Sequence, residues 1–75
     1  MDVEKIFAQR VYELRKSAGM TQKQLGEAVG LSMQAINDME KGRNKTTIDR
    51  AIAMARLFNT SVDYLLGETD NPTRR

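Results

Sequence analysis

Apolar residues along this chain recur at intervals of three and four, the spacing that places side chains on one face of an α-helix. The first such stripe consists of Val3, Phe7, Val11, Leu14 and Ala18. Gly19 follows the stripe and is a common helix terminator. The spacing therefore predicts a first helix over residues 3–18.

Two shorter helices are predicted next, over Gln22–Val29 and Met33–Lys41. Thr21 and Gln24 have the spacing of a capping box, in which each side chain bonds the other residue's backbone amide. Gly30 and Ser32 then supply a left-handed helix end and a new N-cap. The inward positions of these two helices are expected to be Leu25, Ala28, Val29, Ile36 and Met39.

Gly26 lies inside the first of these short helices, where glycine costs roughly 0.5–1 kcal/mol relative to alanine. Close approach of the second helix, leaving no room for a Cβ, would offset that cost. Two short helices joined by a tight glycine turn, one backing the other, are typical of a helix-turn-helix.

A fourth helix is predicted after a cap at Thr46 or Thr47, and a short fifth helix after a cap at Ser61. Asn59 suits the left-handed end between them. The inward positions are expected to be Ile48, Ala51, Ile52, Ala55, Phe58, Val62, Leu65 and Leu66. The sequence thus predicts an all-α, compact five-helix bundle over residues 1–67 and a flexible C-terminal tail over residues 68–75.

Composition narrows the functions that such a bundle can have. The 75 residues include no cysteine and no histidine, which removes the usual zinc ligands, thiol nucleophiles and histidine bases. No phosphate-binding glycine loop or metalloprotease motif is present, so we expect no enzyme, metal or cofactor. The N-terminus has no signal-peptide pattern and no segment has the length of a membrane span, which favours a cytoplasmic protein.

The formal net charge is +2, and its distribution says more than its size. Lys41, Arg43 and Lys45 follow the second motif helix closely, and Lys23 lies near the start of the first. Such a cluster suits a phosphate backbone, although an ordinary solvated surface is the alternative for any single lysine.

The motif residues carry a resemblance to a known family. The segment FAQRVYELRKSAGMTQKQLGEAVGLSMQAINDMEKG resembles the helix-turn-helix of the XRE family, the Cro/CI-type or phage-repressor-like DNA-binding domains. The segment IDRAIAMARLFNTSVDYLLGE is similar to that family's two closing helices, so the resemblance covers about residues 6–68. It implies a lambda-repressor-like fold, sequence-specific DNA binding, transcription regulation and often a homodimer.

The resemblance also implies roles for particular residues. Family members often pair an arginine at the position of Arg15 with a glutamate at that of Glu40, so we expect an ion pair between the first and third helices. The alternative is a pair of surface charges worth about 0–1 kcal/mol. Gln22 matches a family glutamine that grips the DNA backbone.

The third helix is expected to read bases through Met33, Gln34, Asn37 and Asp38. Gln34 is the strongest candidate, because an amide can donate to N7 and accept from N6 of adenine, and Asn37 could act in the same way. Met33 could contact a thymine methyl group or pack in the core. Asp38 would repel phosphates unless it accepts from cytosine N4 or pairs with Lys41 or another cation.

Two further sets of residues complete the prediction. The phosphate-binding residues are expected to be Gln22, Lys23, Ser32, Lys41, Arg43, Asn44 and Lys45. A dimer surface, or alternatively the closure of a monomer core, is expected from Phe58, Thr60, Tyr64, Leu65 and Leu66.

The expected function is a sequence-specific DNA-binding regulator, acting as a repressor by occupying a palindromic double-stranded DNA operator as a homodimer. No membrane or small-molecule ligand is expected. Two alternatives remain open: an antitoxin-like module that binds a partner protein, and a helical interaction domain that does not bind DNA.

Overall fold

The computed structural model describes residues 2–73, and each of its five helices begins directly after a polar residue that caps it. The helices are α1 (Val3–Ser17), α2 (Gln22–Val29), α3 (Met33–Glu40), α4 (Ile48–Leu57) and α5 (Val62–Leu65). No strand occurs within these residues, and the predicted all-α fold is confirmed. None of the five helices is long and apolar enough to cross a membrane.

Side-chain caps fix where the helices start. Thr21 Oγ1 accepts from the Gln24 amide at 3.0 Å and the Thr21 amide donates to Gln24 Oε1 at 2.9 Å, which confirms the predicted capping box. Of the two candidate caps for α4, Thr47 is the one used, since its hydroxyl accepts from the Arg50 amide at 3.2 Å. Asn59 has a positive φ of 53°, as predicted for the end of α4.

The turn between α2 and α3 explains the glycine inside α2. A Cβ added to Gly26 would lie 2.4 Å from the backbone oxygen of Leu31, which is closer than real Cβ contacts come. The approaching group is therefore the backbone of the turn that leads into α3, not the body of α3 that we expected. The Leu31 amide also donates to the Gly26 carbonyl oxygen at 2.8 Å, so glycine allows the turn to seal directly against α2.

The core lies where the helices converge, with α3 against α1 and α2, α2 against α4, and α5 against α1 and α4. Its buried members are Phe7, Val11, Leu25, Ile36, Met39, Ala51, Met54, Ala55 and Leu65. The partly buried Leu14, Met20 and Val29 pack against this core. Because the chain has no cysteine, the stability of the domain depends on this packing.

Four positions expected to face inward are exposed. Val3 is the first residue of α1 and Ala18 directly follows its last residue, and both are exposed. Ala28 is exposed on α2, and Ile48, the first residue of α4, is 79% exposed. The buried residues of α4 are Ala51, Met54 and Ala55, and of these the sequence pattern missed only Met54.

Residues following α5 hydrogen-bond to the helical body. The Arg10 guanidinium donates to the carbonyl oxygens of Tyr64 at 2.5 Å and Thr69 at 2.6 Å, and to Asp70 Oδ1 at 2.8 Å. The Thr60 hydroxyl donates to the Pro72 carbonyl oxygen at 2.6 Å. Flexibility of residues 68–75 remains a prediction, since these contacts do not measure motion, and Met1, Arg74 and Arg75 lie outside the described residues.

Candidate nucleic-acid interface

Helix α3 presents a polar face to solvent because its apolar residues hold the opposite face in the core. Ile36 is fully buried and Met39 is 5% exposed. On the outer side Gln34 is exposed, while Asn37 and Asp38 are half-buried. Met33 is 57% exposed, so of its two possible roles core packing is excluded. The residues expected to read bases therefore share one accessible face of α3.

An ion pair ties the C-terminal end of α3 to α1. Arg15 Nε donates to Glu40 Oε2 at 2.5 Å, and a second guanidinium nitrogen donates to Glu40 Oε1 at 3.0 Å. The third nitrogen donates to the Met20 carbonyl oxygen at 2.8 Å, so all three guanidinium nitrogens make a hydrogen bond within the fold. Only 8% of the Arg15 side chain and 5% of the Glu40 side chain are exposed, so this pair is not an ordinary surface contact.

The contact with Glu40 favours the charged form of Arg15 even though Arg15 is buried. Hydrogen bonding to Glu40 raises the pKa of Arg15, and this outweighs the effect of burial, which acts in the opposite direction. The Arg15 guanidinium is therefore held as a cation inside the fold. Such a pair fixes the distance between α1 and α3 and with it the angle at which α3 projects.

Gln22 joins the same network instead of standing free at the start of α2. Its Nε2 donates to Glu40 Oε1 at 3.1 Å and to Asn37 Oδ1 at 3.3 Å. The amide is thus held between the buried ion pair and the outer face of α3. Both Nε2 hydrogens are donated within the protein, so a phosphate contact by Gln22, which stays a prediction, would use its backbone amide at the start of α2.

Asp38 has partners other than the one first considered. Its Oδ1 accepts from Gln34 Nε2 at 3.1 Å and from an Arg43 guanidinium nitrogen at 3.3 Å, and no ion pair with Lys41 is found within residues 2–73. The carboxylate is therefore compensated by a cation from the loop after α3. Arg43, expected at a phosphate, is engaged with Asp38 in this structure.

The remaining polar residues predicted to contact phosphates lie at the surface. Lys23, Ser32, Lys41, Asn44 and Lys45 are all exposed. Two further lysines from α1 adjoin this region and escaped the sequence analysis. Lys16 lines a shallow concavity with Gln22, Lys23 and Met33, and the Lys5 side chain lies beside Gly42. They are distant along the chain, so no local spacing could have grouped them with the motif.

The predicted dimer surface is reduced by burial within the monomer. Leu65 is fully buried and Thr60 is 2% exposed, so neither side chain can meet a second copy without opening the core. Their burial favours the alternative for these two residues, which is closure of the monomer core. Phe58, Tyr64 and Leu66 are half-buried, pack on the core and keep part of their surface accessible.

These features define a helix-turn-helix domain, in which α3 is capped at its start and packs its inner face on the core of a small helical bundle. A family model described as Helix-turn-helix matches residues 11–65. The chain belongs to this family, and the XRE-type resemblance is confirmed. No solved structure with significant similarity to the chain was found.

Several curated proteins are similar over most of the chain. The HTH-type transcriptional regulator YobD of Bacillus subtilis is 37% identical over 89% of this chain and 60% of its own length. Control protein C.SmaI of Serratia marcescens is 35% identical over 88% of this chain and 79% of its own length. The HTH-type transcriptional regulator ImmR of Bacillus subtilis is 31% identical over 81% of this chain. The chain spans 60% of YobD and 48% of ImmR, so those relatives contain further sequence.

Proposed function

We propose that this chain is a sequence-specific DNA-binding transcriptional regulator that acts as a repressor by occupying its operator. The observation that carries the proposal is the outer face of α3. That face exposes Met33 and Gln34, is backed by the buried Ile36 and Met39, and is followed directly by an exposed basic loop. The names of the relatives, which are transcriptional regulators and a control protein, support the same function.

The dimensions of α3 suit the major groove. Its eight residues form a rod about 12 Å long at about 1.5 Å per residue, and the groove, about 12 Å wide, admits one helix. Gln34 is the second residue of α3, and the N-terminal residues of this helix contact base edges in helix-turn-helix docking. Its amide can pair with adenine, while the thioether of Met33 beside it can contact a thymine methyl group.

Affinity would come mainly from the phosphate backbone. Lys23, Lys41 and Lys45 are exposed and, within the described residues, make no ion pair. Three or four such cations in each subunit of a dimer predict a slope of roughly −5 to −7 for log K against log salt concentration, at about −0.9 per phosphate neutralised. A weak slope would mean that the basic residues do not meet the DNA.

The size of the domain supports a dimer on DNA. The Cα atoms of the described residues extend 28 Å along their longest axis. Two half-sites centred about 34–36 Å apart therefore exceed the reach of one copy. We propose a homodimer on a palindromic operator, with Phe58, Tyr64 and Leu66 contributing to the contact. Sedimentation velocity at micromolar concentration, with and without the operator, would measure the assembly.

The experiment begins with selection of bound duplexes from a randomised library by the wild-type protein. Binding of Gln34→Ala and Lys45→Ala to the selected duplex and to a scrambled duplex is then measured at several salt concentrations. Gln34→Ala should relax the preference at one base step, by about 1–3 kcal/mol, and leave the salt slope unchanged. Lys45→Ala should weaken binding to both duplexes alike and reduce the slope by about 0.9 for each subunit bound.

Arg56→Ala provides the matched charge control, because Arg56 is exposed in the last turn of α4 and lines a cavity beside the C-terminal segment. It should alter neither sequence preference nor the salt slope appreciably. If Gln34→Ala and Lys45→Ala weaken specific and scrambled duplexes to the same extent, the role of Gln34 is wrong. If the wild type enriches no sequence, the proposed function is wrong.

A further inference from the structure

We infer that Asp38 is a positioning residue that sets the base preference of Gln34 and keeps Arg43 away from the phosphates, and that it does not itself read a base. This inference rests on the proposed DNA-binding function. It is carried by one carboxylate oxygen, Asp38 Oδ1, which accepts from Gln34 Nε2 at 3.1 Å and from Arg43 at 3.3 Å.

Asp38 takes up one of the two hydrogens of the Gln34 amide. Residues four apart are neighbours on a helix, so Asp38 reaches Gln34 across one turn of α3. The Nε2 group carries two hydrogens, and one is given to Asp38. One N–H donor and the carbonyl acceptor remain, which match N7 and the N6 amino group of adenine.

The same contact disfavours guanine. Guanine presents two acceptors in the major groove, N7 and O6, so bidentate pairing with it requires two donors. A Gln34 amide without a partner in the protein could offer both of its N–H groups to guanine. Because Asp38 occupies one of them, Gln34 can make only one good hydrogen bond to that base. Asp38 therefore converts an amide that tolerates two purines into one that selects adenine.

Asp38 also affects the charge that the protein presents to DNA. A carboxylate beside phosphates repels them, but the Arg43 guanidinium compensates the charge of Asp38. The Asp38 side chain is 25% exposed and that of Arg43 is 58% exposed, so the pair lies at the surface where DNA would dock. The consequence is that Arg43 contributes less to phosphate binding than its position in the basic loop implies. Asp38 thereby lowers the affinity for DNA and raises the discrimination between adenine and guanine.

The test compares Asp38→Ala and Asp38→Asn with the wild type on the selected duplex and on the same duplex with guanine replacing the adenine that depends on Gln34. Asp38→Ala should reduce the adenine-over-guanine ratio by roughly 3- to 10-fold, within the range of one bidentate contact. It should also strengthen binding to scrambled DNA and make the salt slope steeper by about 0.9 per subunit, since Arg43 is released to a phosphate.

Asp38→Asn separates the two roles, because its amide oxygen can still accept from Gln34 while its charge is gone. It should retain most of the adenine preference and still steepen the salt slope. Asp63→Asn, on the exposed first turn of α5, makes the same change of charge elsewhere and should leave both quantities unchanged. In the free protein, the order parameter of the Gln34 side-chain amide should fall in Asp38→Ala.

Three results would overturn the inference. One is an unchanged purine ratio and salt slope in Asp38→Ala, with Gln34→Ala still losing its base preference, which leaves the proposed function intact. Another is that Asp38→Ala loses the preference at a base step where the wild type selects cytosine. Asp38 would then itself accept from cytosine N4 and read a base directly. The third is an equally ordered Gln34 amide with and without Asp38. A wild type that enriches no sequence would overturn the inference and the proposed function together.

Discussion

Replacing Glu40 by alanine is expected to destabilise the domain far more than the same change at any exposed glutamate. The substitution leaves the Arg15 guanidinium in a site where only 8% of its side chain is exposed, with two of its hydrogen bonds lost. Removing one partner of a buried pair costs about 3–5 kcal/mol, because the remaining charge has no compensation. Gln22 would also lose a hydrogen-bond acceptor.

That cost is a large part of the stability available. A domain of 75 residues is expected to be stable by roughly 4–11 kcal/mol, at about 0.05–0.15 kcal/mol per residue. Each kcal/mol lost lowers Tm by about 4–8 °C for a domain of this size. Glu27→Ala is the matched control, because Glu27 is exposed on α2, and it should change stability by less than about 0.5 kcal/mol.

Urea unfolding followed by circular dichroism measures both variants. If Glu40→Ala is too unstable to give a folded baseline, the double variant Arg15→Met, Glu40→Leu tests the structural role of the pair instead. Replacing both partners by apolar residues of similar volume removes the uncompensated charge, so stability should recover towards the wild type. Equal free energies of unfolding for Glu40→Ala and Glu27→Ala would refute the structural role of the pair.

Two other perturbations test the packing around the motif and the C-terminal segment. Gly26→Ala should lower the free energy of unfolding by about 1–3 kcal/mol through the clash with the Leu31 carbonyl, although alanine favours helix by up to about 1 kcal/mol. If urea unfolding shows the variant to be more stable than the wild type, the turn moves aside without cost. Arg10→Ala should cost about 1–3 kcal/mol and speed amide exchange in residues 68–73, whereas Asp70→Asn, with its side chain 97% exposed, should cost less than about 0.5 kcal/mol. Equal exchange in the two variants would contradict a role for Arg10 in holding that segment.

Local signals predicted the starts of α1, α2, α3 and α5, narrowed the cap of α4 to Thr46 or Thr47, and gave the ends of α1 and α3 to within one residue. The hydroxyls of Thr21, Ser32 and Ser61 each accept a hydrogen bond from the backbone amide three residues later. That relation is visible in the order of residues alone. Asn59 was likewise predictable, because the left-handed conformation restricts the choice of residue. The periodic stripe also identified most of the core.

Contacts between residues distant along the chain could not be predicted in the same way. The pairing of Arg10 with Thr69 spans 59 positions, and no spacing rule relates two such residues. The exposure of Ile48 depends on how far the other helices reach, which the stripe within α4 does not encode. At the interface, the sequence indicated which residue types could read DNA, but the hydrogen bonds that commit Gln34 and Arg43 to Asp38 required coordinates.

In the proposed function, the outer face of α3 reads the major groove through Gln34. Its most direct test replaces the adenine recognised by Gln34 with 7-deazaadenine, which removes the N7 acceptor from the major groove and leaves Watson–Crick pairing intact. This replacement should weaken binding of the wild type by about tenfold or more and have no effect on binding of Gln34→Ala. An equal loss in both proteins, or no loss in either at every adenine of the selected site, would contradict it.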